Sequence, residues 1–215
     1  MKKIAVLMLC VSLSILSFSC VQGINLEMYV SQLRLNAYVY SSSDYTLTVF
    51  EEETETPYLL DGYVGKIEKV IIVRLENYKT SLDGASVKLN YNGKELRGDF
   101  TYNPVNSKYT TTIAVDGHLQ KNELLVTLIS GGNETELTLV RVTEGSVDVK
   151  KVLSAVSKYA SSYVQNALDA GGIEVHVRVI PSENENYYYV CIVDTSGNQK
   201  AFLVDGKTAK ILAEK

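Results

Sequence analysis

The sequence predicts an α+β protein built as an antiparallel β-sandwich of immunoglobulin-like architecture over residues 25–142, followed by a small helix-plus-antiparallel-sheet unit over 147–213. Three observations carry this. Apolar residues alternate with period two from about Leu33 to Val142, as in half-buried strands. Near Ser146 the spacing changes to three and four, the period of one helical face. After Gly171 and Gly172 the strand-like runs return. Residues 143–146 are therefore the expected junction.

Residues 1–19 have the composition of an export signal. Lys2 and Lys3 precede an apolar run from Ile4 to Leu16, which ends in Ser17, Phe18, Ser19 and Cys20. At ~1.5 Å per residue the run is roughly 20 Å long, short of the ~30 Å of a membrane span. Cys20 at the cleavage point resembles a bacterial lipoprotein signal, although Ser17 stands where such signals usually carry an aliphatic residue. The resemblance implies that Cys20 is lipidated and that the protein is extracytoplasmic and anchored to the membrane. Simple secretion and an uncleaved anchor are the alternatives. A disulfide between Cys20 and Cys191 is a competing fate for both thiols in an oxidising compartment.

In the first unit Leu33, Leu35, Ala37 and Val39 alternate with Arg34, Asn36, Tyr38 and Tyr40. Tyr45, Leu47 and Val49 repeat the pattern, as do Val87, Leu89 and Tyr91, then Tyr109, Thr111, Ile113 and Val115, then Leu137 and Leu139. Val70, Ile71, Ile72 and Val73 are continuously apolar and read as a central strand buried on both faces. Turn residues between the runs, such as Asp61 with Gly62 and Asn92 with Gly93, support hairpins. The acidic run Glu51, Glu52, Glu53 and Glu55 lacks the alternation and glycine of a calcium loop and reads as a solvated strand end or loop.

In the second unit Val152, Leu153, Val156, Ala160, Tyr163, Val164, Ala167 and Leu168 fall on one helical face. Asp148 suits the first turn, and the Gly171 and Gly172 pair suits its C-terminal stop. Strands follow at 173–180, 187–193 and 201–204, with a short fourth near Ile211. The closing run from Asp205 through Gly206, Lys207, Thr208, Ala209 and Lys210 to Ile211 resembles that of the PepSY family, with Ala209 where the family usually has glycine. The resemblance covers residues 147–213 at most. It implies a non-enzymatic extracytoplasmic module linked to modulation of peptidases.

The chain carries 21 basic and 25 acidic residues, a formal charge of −4, which argues against a nucleic-acid partner. Zinc-protease, nucleophile-elbow and P-loop motifs are absent from the sequence. Its two histidines, His118 and His176, stand apart, so neither a metal nor a cofactor is expected. A symmetric hairpin over 181–186 sets Ile180 opposite Tyr187 and His176 opposite Cys191, with Arg178 and Tyr189 on the same face. Tyr187, Tyr189, Val193, Phe202 and Val204 are expected to share that face as an interface, covered by the β-sandwich. The functional expectation is a non-enzymatic binding protein of the cell envelope that recognises a protein or peptide. The alternatives are an envelope enzyme or redox protein using Cys191 and His176, and a structural subunit of a surface assembly.

Overall fold

A computed structural model describes residues 23–76, 82, 84–119, 121–182 and 185–215; the expected signal peptide and Cys20 lie outside them. A 3-10 turn, Leu26–Tyr29, leads into β1 (Val30–Ser41), β2 (Thr46–Glu55), β3 (Ile67–Glu76), β4 (Ser86–Tyr91) and β5 (Lys94–Asp99). Next come β6 (Thr101–Asn103), β7 (Lys108–Ala114), β8 (Glu123–Ser130) and β9 (Asn133–Arg141). Helices α1 (Val149–Tyr159) and α2 (Ser161–Asp169) precede β10 (Ile173–Pro181), β11 (Asn186–Asp194), β12 (Gln199–Asp205) and β13 (Ile211–Glu214). The fold is α+β and mostly antiparallel. No helix among the described residues is long and apolar enough to cross a membrane.

In place of two separately stacked sheets, hydrogen bonds join the 13 strands among the described residues into one. The reason lies in β1. Its first half pairs in parallel with β10, Arg34 opposite Arg178. Its second half pairs antiparallel with β9, Tyr38 opposite Arg141. Meanwhile β2 runs along its other edge from Gln32 to Ser41. The strands of the first unit curl until β5 meets β7, nearly closing a barrel: a Cβ at Gly98 would lie 2.6 Å from Thr111 Oγ1.

Two cores fill one side of this sheet, and their division falls inside β1. Leu26, Val30, Leu33 and Leu35 pack with the helices and β10 to β12. Tyr38 instead joins the core formed by β2, β3, β4, β8 and β9. A register shift between Arg34 and Asn36 makes the switch, because an extra residue re-aims every later side chain. The expected simple alternation is therefore corrected there: Tyr38 is buried and Val39 is only half-buried. The expected double burial of β3 is corrected too. Ile71 and Val73 enter the core, whereas Val70 and Ile72 are half-buried on the sheet's outer face.

The helical residues pack as expected, although the helix breaks at Ala160, which takes φ −101° and ψ 21°. Asp148 caps α1 by accepting from the Lys150 amide at 2.8 Å. Ser157 ties the helix to the segment before β1 by donating to the Ile24 carbonyl at 2.7 Å. Beyond α2, Gly172 has φ 126°, and a Cβ there would lie 2.8 Å from the Cα of Gly62. This close approach seats the β2–β3 loop against the start of β10.

Phe202 and Val204 require a correction. Both are fully buried on the helix side, with Phe202 opposite Val190 and its ring 6.0 Å from that of Tyr159. The physical reason is the β11–β12 turn. Asp194 and Asn198 close it through a 3.0 Å backbone hydrogen bond around a loop that includes Gly197 at φ 82°. An odd number of loop residues inverts the side-chain parity expected of the next strand.

Candidate functional site: the outer sheet face

Both cores occupy one side of the sheet, so the other side of β11, β10, β1, β2, β3 and β7 forms an outer face. The hairpin register is the expected one: Ile180 opposite Tyr187, Arg178 opposite Tyr189 and His176 opposite Cys191. Val175, Val177, Val190 and Ile192 point at the helices. Of the interface candidates, Tyr187, Tyr189 and Val193 lie on the outer face, and Phe202 and Val204 do not.

At the centre of this face is a relay of side chains. Arg178 places Nε 2.9 Å and Nη2 2.5 Å from the Gln32 amide oxygen. Gln32 Nε2 donates to Glu52 Oε1 at 2.8 Å. The other Glu52 oxygen accepts from Arg34, through Nε at 2.7 Å and through Nη2. Beside them the guanidinium carbons of Arg34 and Arg74 stand 4.5 and 5.1 Å from the Phe50 ring centroid. Burial lowers the basicity of Arg34; Glu52 opposes this and the charges of Arg178 and Arg74 reinforce it.

His176 and Cys191 form the neighbouring part of the face. Burial and then Arg178 lower the imidazole's pKa, with Glu52 opposing. Burial pushes the Cys191 thiol up, despite the hydroxyl of Tyr189 and the charge of Arg178. Its sulfur lies 3.9 Å from Gln199 Oε1. Tyr58, on the β2–β3 loop, meets His176 edge-on with ring centroids 5.7 Å apart.

Under that loop lies Glu174, fully buried. Neither carboxylate oxygen has a well-formed hydrogen bond, although the Ser31 and Tyr58 hydroxyls lie alongside. Burial raises its pKa against those hydroxyls, and Glu55 and Asp61 add to the rise. Burial and Glu174 in turn push the Tyr58 phenol up to about 12.

The acidic run is not solvated, which corrects the sequence expectation. Glu51, Glu52 and Glu55 are all buried, while Glu53 is half-buried. Glu51 accepts from the Tyr91 hydroxyl and the Leu119 amide, both at 2.7 Å, and from Asn36 Nδ2 at 2.5 Å. Glu55 accepts from the Gly65 amide across the loop. Glu53 meets Lys69 at 3.1 Å and His118 at 3.0 Å. Alternation put these carboxylates on opposite faces, and each face supplied donors from other strands and loops.

Sequence reasoning missed Gln32, Arg34, Phe50, Glu52 and Arg74 as parts of this surface. Arg34 was legible as an outward residue of an alternating strand. That Arg34, Arg74 and Arg178 share one face depends on strand order, which alternation does not encode.

On the core side, a cleft of about 200 Å³ between α1 and β1 is lined by residues including Val30, Leu33, Glu53 and Leu153. It is smaller than the ~300 to 1,000 Å³ usual for small-molecule sites. Among the described residues, no group of three or more His, Cys, Asp or Glu side chains is arranged to hold a metal ion. In comparisons with known proteins, the chain matches no family model, no curated protein and no solved structure.

Proposed function

We propose that this is an exported, lipid-anchored binding protein of the bacterial cell envelope, which recognises a protein or peptide without catalysing a reaction on it. The observation that carries the reading is the outer sheet face. It places Phe50 against the guanidinium groups of Arg34 and Arg74, and aligns them with Arg178 and Tyr189. Aromatic and arginine side chains contribute disproportionately to protein interfaces.

The PepSY resemblance extends the proposal to modulation of a peptidase. A local feature supports that resemblance: Asp205 Oδ1 accepts from the Lys207 amide at 3.0 Å and the Thr208 amide at 2.7 Å. Ala209 then takes φ 62°, a conformation suited to the family's glycine. The raised Cys191 thiol and lowered His176 pKa favour a packed thiol over a nucleophilic pair.

Photo-crosslinking in the native envelope tests the reading. A photoreactive residue at Ile72 or Tyr189 should yield protein adducts, and one at Leu125 or Val140, exposed on other strands, should not. Equal yields at all four positions would remove the outer face as the recognition surface. Mass spectrometry of the mature N-terminus tests the anchor: an acylated Cys20 is expected, and an unmodified chain starting beyond Ser19 overturns it.

A further inference from the structure

We infer that Arg178, beside Arg34 on the adjacent strand and with Arg74 two strands further along the same face, is a subsite for the carboxylate of an acidic polypeptide segment laid across the outer face. The inference rests on the reading of that face as the recognition surface and names the chemistry of what it recognises.

The outer face carries a charge imbalance. Glu52 engages Arg34 directly but reaches Arg178 only through the neutral amide of Gln32. Two N–H groups of Arg178 end on that amide oxygen, and among the described residues Arg178 forms no ion pair with a carboxylate. Its remaining guanidinium donors are available to a ligand. Arg74 is similarly underpaired. Among the described residues its one carboxylate neighbour, Glu76, lies 3.9 Å away and is shared with Lys108 at 3.0 Å, and its Nε is buried without a partner. Cys191, beside Arg178, is held toward its neutral thiol and offers no counter-charge.

This positive patch belongs to a chain of formal charge −4, so it is local. Guanidinium groups match a planar carboxylate through paired N–H donors. A membrane headgroup is the less favoured anion. Recognition of an anionic bilayer typically uses a cluster of ~4 to 8 lysines or arginines, and the net negative charge opposes it. Half-buried Val70 and Ile72 continue the face beside the arginines and suit the apolar residues of a peptide.

The test is a titration of the purified protein with fluorescein-labelled hexaglutamate at low and high salt. Binding should weaken with salt and fall about tenfold or more in Arg178→Gln, the loss of a charge-assisted hydrogen bond. Arg178→Lys should lose less, and Lys88→Gln, which removes a charge on β4, should change nothing. In the wild type, the peptide should protect Arg178 from phenylglyoxal modification, a readout independent of any variant's folding. Absence of binding, equal losses in Arg178→Gln and Lys88→Gln, or Arg178-dependent binding only to phosphatidylglycerol vesicles overturns the inference. Loss of peptide binding with persistent crosslinking from Ile72 and Tyr189 would overturn the acidic ligand alone. Loss of both would overturn the recognition surface.

Discussion

The phenol of Tyr91 on β4 donates to Glu51 of β2 at 2.7 Å, joining the two halves of the barrel-like sheet through a buried carboxylate. The same hydroxyl lies 3.1 Å from the Gly117 carbonyl, and Glu51 also holds the Leu119 amide. Burial and Glu51 push the Tyr91 phenol well above its ordinary range, so it stays a donor at any physiological pH. Tyr91→Phe removes a hydrogen bond to a charged group and should destabilise the protein by ~1.5 to 3 kcal/mol in urea unfolding. A change below ~0.5 kcal/mol would mean that the carboxylate finds a replacement donor.

Glu174 predicts a pH dependence of the opposite sign to that of ordinary paired carboxylates. Its folded pKa is raised, chiefly by burial, so the native state holds its proton more tightly than the unfolded chain. Its favourable contribution is complete below the ordinary glutamate value of 4.5 and is lost as pH rises through the higher folded value. Glu174→Gln should cancel that loss. The difference in Tm, variant minus wild type, should increase from pH 4 toward neutrality. A difference independent of pH would show that Glu174 titrates normally.

Phe202 is buried among Val190, Tyr159 and the other helix-side residues. Phe202→Ala should cost ~3 to 5 kcal/mol, the usual range for removing a buried aromatic ring. Because both the helical core and β11 of the shared sheet pack against this ring, calorimetry should show a large fall in Tm. An unchanged transition would argue against burial of the ring.

Cys191 is buried and its thiol pKa is raised by that burial. Iodoacetamide at neutral pH should label it slowly in the folded protein and rapidly in denaturant. Fast labelling of the native state, with an apparent pKa below that of a free cysteine, would revive the nucleophile reading.

Local patterns foretold much of the secondary structure. The helical face was legible because Val152, Leu153, Val156 and Val164 recur at three and four. The His176 and Cys191 pairing was legible because a short hairpin fixes its own register. The facing of Phe202 was misjudged because one residue more or less in the next turn inverts the face. The acidic run was misjudged for another reason: its partners Arg34, Asn36 and Tyr91 lie 15 to 40 residues away or on a neighbouring strand.

What the sequence determined by itself was the alternation of period two and 3.6, the turns, and the α+β class, all of which depend on residues close along the chain. Tertiary structure alone decided that β1 would serve both cores, that carboxylates in β2 would be buried, and that Arg34, Arg74 and Arg178 would share one face. The bulge after Arg34 changes which side each later residue presents, and strand order brings together side chains that no periodicity relates. Long-range pairing sets both, because a strand's partners are chosen by burial and hydrogen bonding across the whole sheet rather than by its own residues.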